Sequence, residues 1–200
     1  MVTSLTDTAL ILASSSPYRR ELLGRLGLPF EVIEPEVDER RLPDEEPATM
    51  VARLAAAKAD AVVEQRPGTL IIGSDQVAAV DHHVLGKPGN AANALVQLRA
   101  LSGKRVDFLT GLCLLNGASG RRQTDVVVTS VFFRNLSDDQ IAGYVAREQP
   151  YGCSGAFKSE GLGIALVDRF AGDDPTALIG LPLIRLTDML NVEGVPVLTI

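Results

Sequence analysis

Two long β-type runs, 105–115 and 121–133, flank Asn116-Gly-Ala-Ser-Gly120, and this pairing constrains the fold more than any other stretch. Asn-Gly suits the positive-φ positions of a tight turn, so the two runs read as an antiparallel hairpin. Elsewhere strand-like segments alternate with helical ones. Ala9-Leu-Ile-Leu-Ala13 is a continuously apolar run of the kind a strand buried on both faces shows. Ser16 and Pro17 then cap a helix that turns Leu22, Leu23 and Leu26 inward and stops at Gly27. Phe30–Ile33 reads as a second strand, 34–47 as an acidic loop and 47–65 as a second helix. A buried strand over 69–73 follows, interrupted at Ser74-Asp75-Gln76 and resumed over 77–80. The spacing predicts a helix over 90–101, and Leu136-Ser137-x-x-Gln140 is a capping box opening another that ends near Glu148. The pattern then predicts a strand over 163–167, a turn over 172–175 and a last helix over 182–190. Strands joined both by helices and by a hairpin imply an α/β fold with a mixed sheet. No composition break divides the 200 residues, so one domain over 1–200 is expected.

Several classes of function are excluded early. At 46% hydrophobic residues the chain has ample material for a core. Its 19 Lys+Arg against 25 Asp+Glu leave a net charge of −6, a poor basis for gripping a polymeric nucleic acid. Aromatic residues make up 4% with no Trp, which also argues against a stacking platform for single strands. The longest apolar runs fall far short of the roughly 18 residues a membrane span needs. The first eight residues lack the basic start and apolar stretch of a secretory signal, so a cytoplasmic protein is expected. Cys113 and Cys153 form no C-x-x-C motif and read as free thiols. His82 and His83, beside Asp81, are adjacent and read as a solvated turn rather than a zinc site.

Four stretches carry candidate chemistry. Ser14-Ser-Ser-Pro-Tyr-Arg-Arg20 places hydroxyls and free backbone N–H groups at a helix N-terminus, where anions are favoured. Arg19 and Arg20 there oppose the helix dipole unless a phosphate sits between; an ordinary cap with solvated arginines is the alternative. Lys58 falls within the apolar stripe of Val51, Leu54, Ala55, Ala61 and Val62, so it must snorkel outward, pair with a carboxylate or meet an anionic ligand. Arg53, on the opposite face, reads as a plain surface charge. Asp75 follows a buried strand, where it suits turn capping, metal binding or general-base work. Gly86-Lys87-Pro88 sets a cation in a stiff turn without the spacing of a P-loop.

Read in series, these stretches resemble the Maf family of nucleoside triphosphate pyrophosphatases, and within it the 7-methyl-GTP branch. The matching blocks run in order through Leu10-Ile-Leu-Ala-Ser-Ser-Ser-Pro-Tyr-Arg-Arg20, Pro35-Glu-Val-Asp-Glu39, Arg53-Leu-Ala-Ala-Ala-Lys58 and Ile71-Ile-Gly-Ser-Asp-Gln76. Gly86-Lys-Pro88, Gly155-Ala-Phe-Lys-Ser-Glu-Gly161 and Gly180-Leu-Pro182 complete them. The resemblance implies an elongated mixed β-sheet with flanking helices and a two-lobed cleft, like that of inosine triphosphate pyrophosphatase, often as a homodimer.

It also implies cleavage between the α and β phosphates, with a divalent cation, Mg²⁺ or Mn²⁺, as cofactor. By resemblance, Ser14, Arg19 and Arg20 hold the triphosphate, and Lys58 and Lys87 face phosphate or the site carboxylates. Glu39 binds metal or fixes Lys58, and Asp75 serves as general base, as metal ligand or as both. Tyr18, Gln76 and Glu160 occupy the positions that separate the 7-methyl-GTP branch from its dTTP/UTP-cleaving sibling. The carboxylate of Glu160 suits the N1–H and N2–H donors of guanine, and Tyr18 suits stacking on a cationic methylated base. The chain departs from the branch at Tyr18, where Trp is expected. A nucleotide-binding regulator of septum formation is the alternative from a different class.

Overall fold

All four residues of Leu10–Ala13 are buried, as an unbroken apolar run requires, and this strand, β1, lies second from one edge of the sheet. The computed structural model describes residues 9–81 and 83–198. The reading of the first eight residues, and of His82, lies outside the described residues. From β1 the chain enters α1 (Pro17–Gly24), whose N-cap Ser16 accepts the backbone N–H of Arg19. It returns as β2 (Phe30–Ile33), parallel to β1 with Leu10 opposite Phe30. After the acidic loop, α2 (Pro47–Val63) crosses to the other side of β1 and delivers β3 (Leu70–Val80), also parallel, with Leu70 opposite Leu10. Leu22 and Leu23 of α1 share a core with Leu10, Leu12, Leu70 and Ile72. Ala55, Ala59 and Val62 of α2 pack with Ile11, Ala13 and Ile71 on the opposite face. The connections therefore diverge at the C-terminal end of β1, the topological switch point where open α/β sheets take ligands.

The second half is antiparallel. β4 (His83–Leu85) folds back on the far end of β3, and α3 (Ala91–Leu101) follows. The expected hairpin is β5 (Arg105–Asn116) and β6 (Arg122–Phe133), with β5 pairing β3 and β6 pairing β7 (Val167–Ala171). The sheet order is β2-β1-β3-β5-β6-β7, the mixed sheet of an α/β fold. The capping box forms in full: Ser137 accepts Gln140 N–H, and the Gln140 side chain accepts Ser137 N–H, at the start of α4 (Asp138–Glu148). The last helix is α5 (Leu183–Val192). Among the described residues no helix is long and apolar enough to cross a membrane.

β3 and β5 run 11 and 12 residues, about 40 Å for the longer, so they extend through two groups of core side chains, and the 12-residue β6 adds buried residues only to the second. One lies around α1, α2 and α5; the other gathers Ala78, Phe108, Val131 and Phe133 against Leu98, Leu101, Ile141 and Phe157. Two expectations are corrected. β3 has no break at Ser74-Asp75-Gln76, because all three stay in register with Leu112, Gly111 and Thr110 of β5 and their polar side chains find partners on both faces. Leu162–Leu166 is a 3₁₀ turn, and the strand starts at Val167. There Gly163 is pressed against Lys158 O and the Phe157 ring, while Leu162 N–H donates to Glu148 Oε2 at 2.7 Å and folds the segment over α4.

α2 lies unusually low on the sheet. A Cβ at Gly73 would collide with Ala55 O, and one at Gly111 with Val51 O. Two glycines on adjacent strands thus let the helix backbone rest on the sheet, which sets how far its side chains reach along β3.

Candidate active site

β1 pairs with β3 as far as Gly73, and β4 takes up the same edge at Ala78. Between them, the edge of β3 over 74–77 has no strand beside it. A cleft of about 400 Å³ opens along this gap, lined by Ser14–Ser16, Tyr18 and Arg19 on one side and Lys58, Glu39 and Lys87 on another. Because side chains alternate along a strand, Asp75 projects toward α2, as Gly73 and Val77 do, while Ser74 and Gln76 project toward 177–180.

Lys58 has the partner its buried position demands. Its Nζ donates to Asp75 Oδ1 at 2.7 Å and stands 2.7 Å from Glu39 Oε1. Lys58 is 6% exposed and Asp75 9%, so simple snorkelling is replaced by a buried ion pair extended to a third group. Glu39 is more open. Burial works to raise its pKa, but the hydrogen bond from Lys58 and the charges of Lys58, Lys87 and Arg19 outweigh it and hold the carboxyl below its ordinary value. Asp75 Oδ2 and Glu39 Oε2 have no hydrogen-bond partner among the described residues.

Arg19 is fixed from across the fold. Its Nε donates to Gly180 O at 2.8 Å and its Nη1 to Ser14 Oγ at 3.4 Å. Burial lowers its pKa while Asp75 and Glu39 pull the other way. Gly180 sits at φ 129°, a conformation that favours glycine, and its carbonyl also accepts Ser74 Oγ–H at 3.0 Å. Arg19 is thereby aimed with its remaining N–H groups available to an anion. Buried Ser14 in turn accepts Ser16 N–H at 3.1 Å, shaping the loop at the helix start.

Arg20 is exposed and does not line the cleft; one residue further along α1 turns it away from Arg19. Lys87 stands at the rim, exposed. Tyr18 and Glu160 both line the cleft, with Cys153 against the Tyr18 hydroxyl. Burial first, then Cys153, push the Tyr18 phenol up against the opposing charge of Lys158. Gln76 is at the cleft, yet its Nε2 is spent on Thr110 Oγ1 and the carbonyls of Ala177 and Leu178, at 2.9–3.0 Å. It braces the segment that carries Gly180.

Arg53 is not a plain surface charge. It forms a bidentate pair with Glu45, at 2.6 and 2.8 Å, and fixes the acidic loop against α2. No local spacing signals that pair, since its partner lies in a segment without regular structure. Cys153 was equally unmarked. Among the described residues no three His, Cys, Asp or Glu side chains form a metal cluster, and His83 bonds back to Asp81 O at 2.9 Å. Asp75 and Glu39 nevertheless offer two carboxylates with a free oxygen each, a donor set that suits Mg²⁺ when substrate phosphates and water complete its shell.

Residues 9–193 match the family described as Maf-like protein. The chain is 57% identical to a 7-methyl-GTP pyrophosphatase of Nitrosococcus oceani over 94% of this chain and 95% of that one. It is 52% identical to a 7-methyl-GTP pyrophosphatase of Cupriavidus metallidurans over 98% of each. Among solved structures it is similar to the Staphylococcus aureus Ham1 protein, at 14% identity, TM-score 0.47, over 64% of this chain and 73% of that one.

Proposed function

The chain belongs to the Maf family, and from that premise we propose that it is a pyrophosphatase that hydrolyses 7-methyl-GTP between the α and β phosphates, yielding 7-methyl-GMP and pyrophosphate. The observation that carries the reading is the triad in which Lys58 bridges Asp75 and Glu39 beside Arg19. Relatives named 7-methyl-GTP pyrophosphatase cover nearly the whole chain, which supports the choice of substrate.

The residues divide the work by chemistry. Arg19 and the N–H groups at the start of α1 hold phosphate oxygens, and Lys87 at the rim neutralises those nearest solvent. Asp75 Oδ2 is a free acceptor on the cleft and takes the proton of an attacking water. Lys58, hydrogen-bonded to Oδ1, orients that carboxylate and supplies positive charge where negative charge accumulates. A divalent cation held by Asp75 and Glu39 would polarise the phosphate and the water. At the other end, Tyr18 stacks on the base and Glu160 accepts from its N1–H and N2–H groups. The free thiols of Cys113 and Cys153 accord with a reducing, cytoplasmic setting.

A steady-state panel with 7-methyl-GTP, GTP, UTP and dTTP, run with Mg²⁺ and with Mn²⁺ and followed by pyrophosphate release, tests this. The expected result is metal-dependent turnover with the highest kcat/KM on 7-methyl-GTP. Equal kcat/KM on UTP would move the chain to the sibling specificity. No turnover of any triphosphate would leave a nucleotide-binding regulator.

A further inference from the structure

Between the end of β2 and the start of α2 the chain runs without helix or strand, yet it carries Glu39 into the cleft. Glu39 cannot hold the loop by itself. Its side chain is 57% exposed, so solvent weakens its hold on Lys58. The anchor lies six residues later. Glu45 is nearly fully buried, with its side chain 4% exposed, and both its oxygens meet Arg53 of α2. The same carboxylate accepts Leu42 N–H at 3.0 Å, Arg41 Nε donates to Glu45 O at 2.8 Å, and Arg53 Nη2 reaches Arg40 O at 3.2 Å. Arg53 and Lys58 stand on one rigid helix, so the loop is tied to α2 at two points and the span between them is short.

We propose that Arg53 and Glu45 form a latch that orders the 34–46 loop and so holds Glu39 on Lys58, which makes Arg53 a positioning residue for the reaction. The proposal rests on the pyrophosphatase reading of the cleft. Arg53 touches neither Asp75 nor Lys58 in hydrogen-bond or ion-pair contact, and its effect passes through the loop. A planar guanidinium satisfies both oxygens of Glu45 at once, which a lysine cannot do.

Arg40 and Arg41 lie inside the latched loop, so trypsin reads its order directly. In Arg53→Gln, first-cut cleavage at these two residues accelerates at least tenfold when measured well below the Tm of the variant, which loss of the Glu45 pair lowers. The Mg²⁺ concentration for half-maximal turnover of 7-methyl-GTP rises about tenfold, and Arg53→Lys falls between. On the residual turnover of Glu39→Gln, adding Arg53→Gln costs less than twofold, because the group being positioned is already gone. Faster cleavage with unaltered turnover, or a loss that persists in full on the Glu39→Gln background, overturns the proposal. So does wild-type cleavage in Arg53→Gln. Should that variant fail to fold, Glu45→Gln is read in the same way. If the wild type turns over no triphosphate, the pyrophosphatase reading falls while the cleavage rates still decide the latch.

Discussion

At the scale of single residues, the chemistry of the cleft turns on a lysine whose position is improbable without partners. Lys58 stands out in sequence because an ammonium inside an apolar helical stripe demands an explanation, and Asp75 and Glu39 provide it. Replacing Asp75 by Asn keeps the shape and removes the proposed proton acceptor. We expect kcat for 7-methyl-GTP to fall about 10³-fold while the Kd for a non-hydrolysable analogue moves less than about threefold; near-normal turnover would remove Asp75 from its role. Tyr18 faces the opposite test. Trp is the better partner for a cationic base, so Tyr18→Trp should raise the 7-methyl-GTP to GTP ratio of kcat/KM by about two- to fivefold, as a gain of about 0.5–1 kcal/mol implies. Glu45 carries a pH dependence. The hydrogen bond from Arg53, helped by Leu42 N–H and the charges of Arg53 and Arg41 against the cost of burial, holds its carboxyl at about 2. Its folded pKa lies below the unfolded value of about 4.3, so its stabilisation is complete above that value and is lost as the pH falls toward 2. Hydrogen-exchange protection of Leu42 N–H should therefore hold at pH 6 and decline through that window; constant protection down to pH 2 would contradict it. Arg53 and Glu45 were invisible in the sequence as a pair, because Glu45 lies in a loop with no periodicity to set it beside the helix that carries Arg53.

At the scale of elements, the position of α2 decides whether Lys58 reaches Asp75 at all. Gly73 and Gly111 were legible as residues but not as a seat for a helix, since they belong to strands that become neighbours only in the folded sheet. Gly111→Ala would set a methyl group against the carbonyl of Val51, a backbone contact that cannot rotate away. We expect a loss of about 2–3 kcal/mol in urea unfolding, with turnover falling more than the population of folded protein accounts for. An unchanged unfolding midpoint would show that α2 has room to spare. Elements whose ends carry local chemistry were read well: Ser16-Pro17, the Ser137–Gln140 capping box and the Asn116–Gly120 turn all form. Elements fixed by long-range contact were not. The stretch before Val167 has strand-like residues, but Glu148 captures its backbone from another helix and bends it into a 3₁₀ turn. The polar Ser74-Asp75-Gln76 resembled a break because its partners lie up to 106 residues away.

At the scale of the whole molecule, an α/β fold with a mixed sheet was legible, and the place of the cleft was not. It depends on β1 ending four residues before β4 takes over the edge of β3, a matter of register that no local pattern encodes. A nucleotide that fills the cleft touches both cores, so it should stabilise the molecule as a unit. At a hundredfold excess over Kd, a non-hydrolysable 7-methyl-GTP analogue with Mg²⁺ should add about 2.7 kcal/mol. That corresponds to a rise of about 5–10 °C in Tm for a chain of this size; a shift below about 1 °C would deny that nucleotide occupies it. The two long strands that join the cores, β3 and β5, carry a further consequence. They run from one core to the other without a linker, which opposes a hinge motion of one against the other around a larger or smaller base. On the proposed reading, accommodation falls to the side chains of Tyr18, Cys153 and Glu160, while the phosphate end stays anchored to the sheet. Selectivity and bond cleavage are thus separately tunable: a descendant of this chain can change which nucleotide it accepts without rebuilding how it cuts.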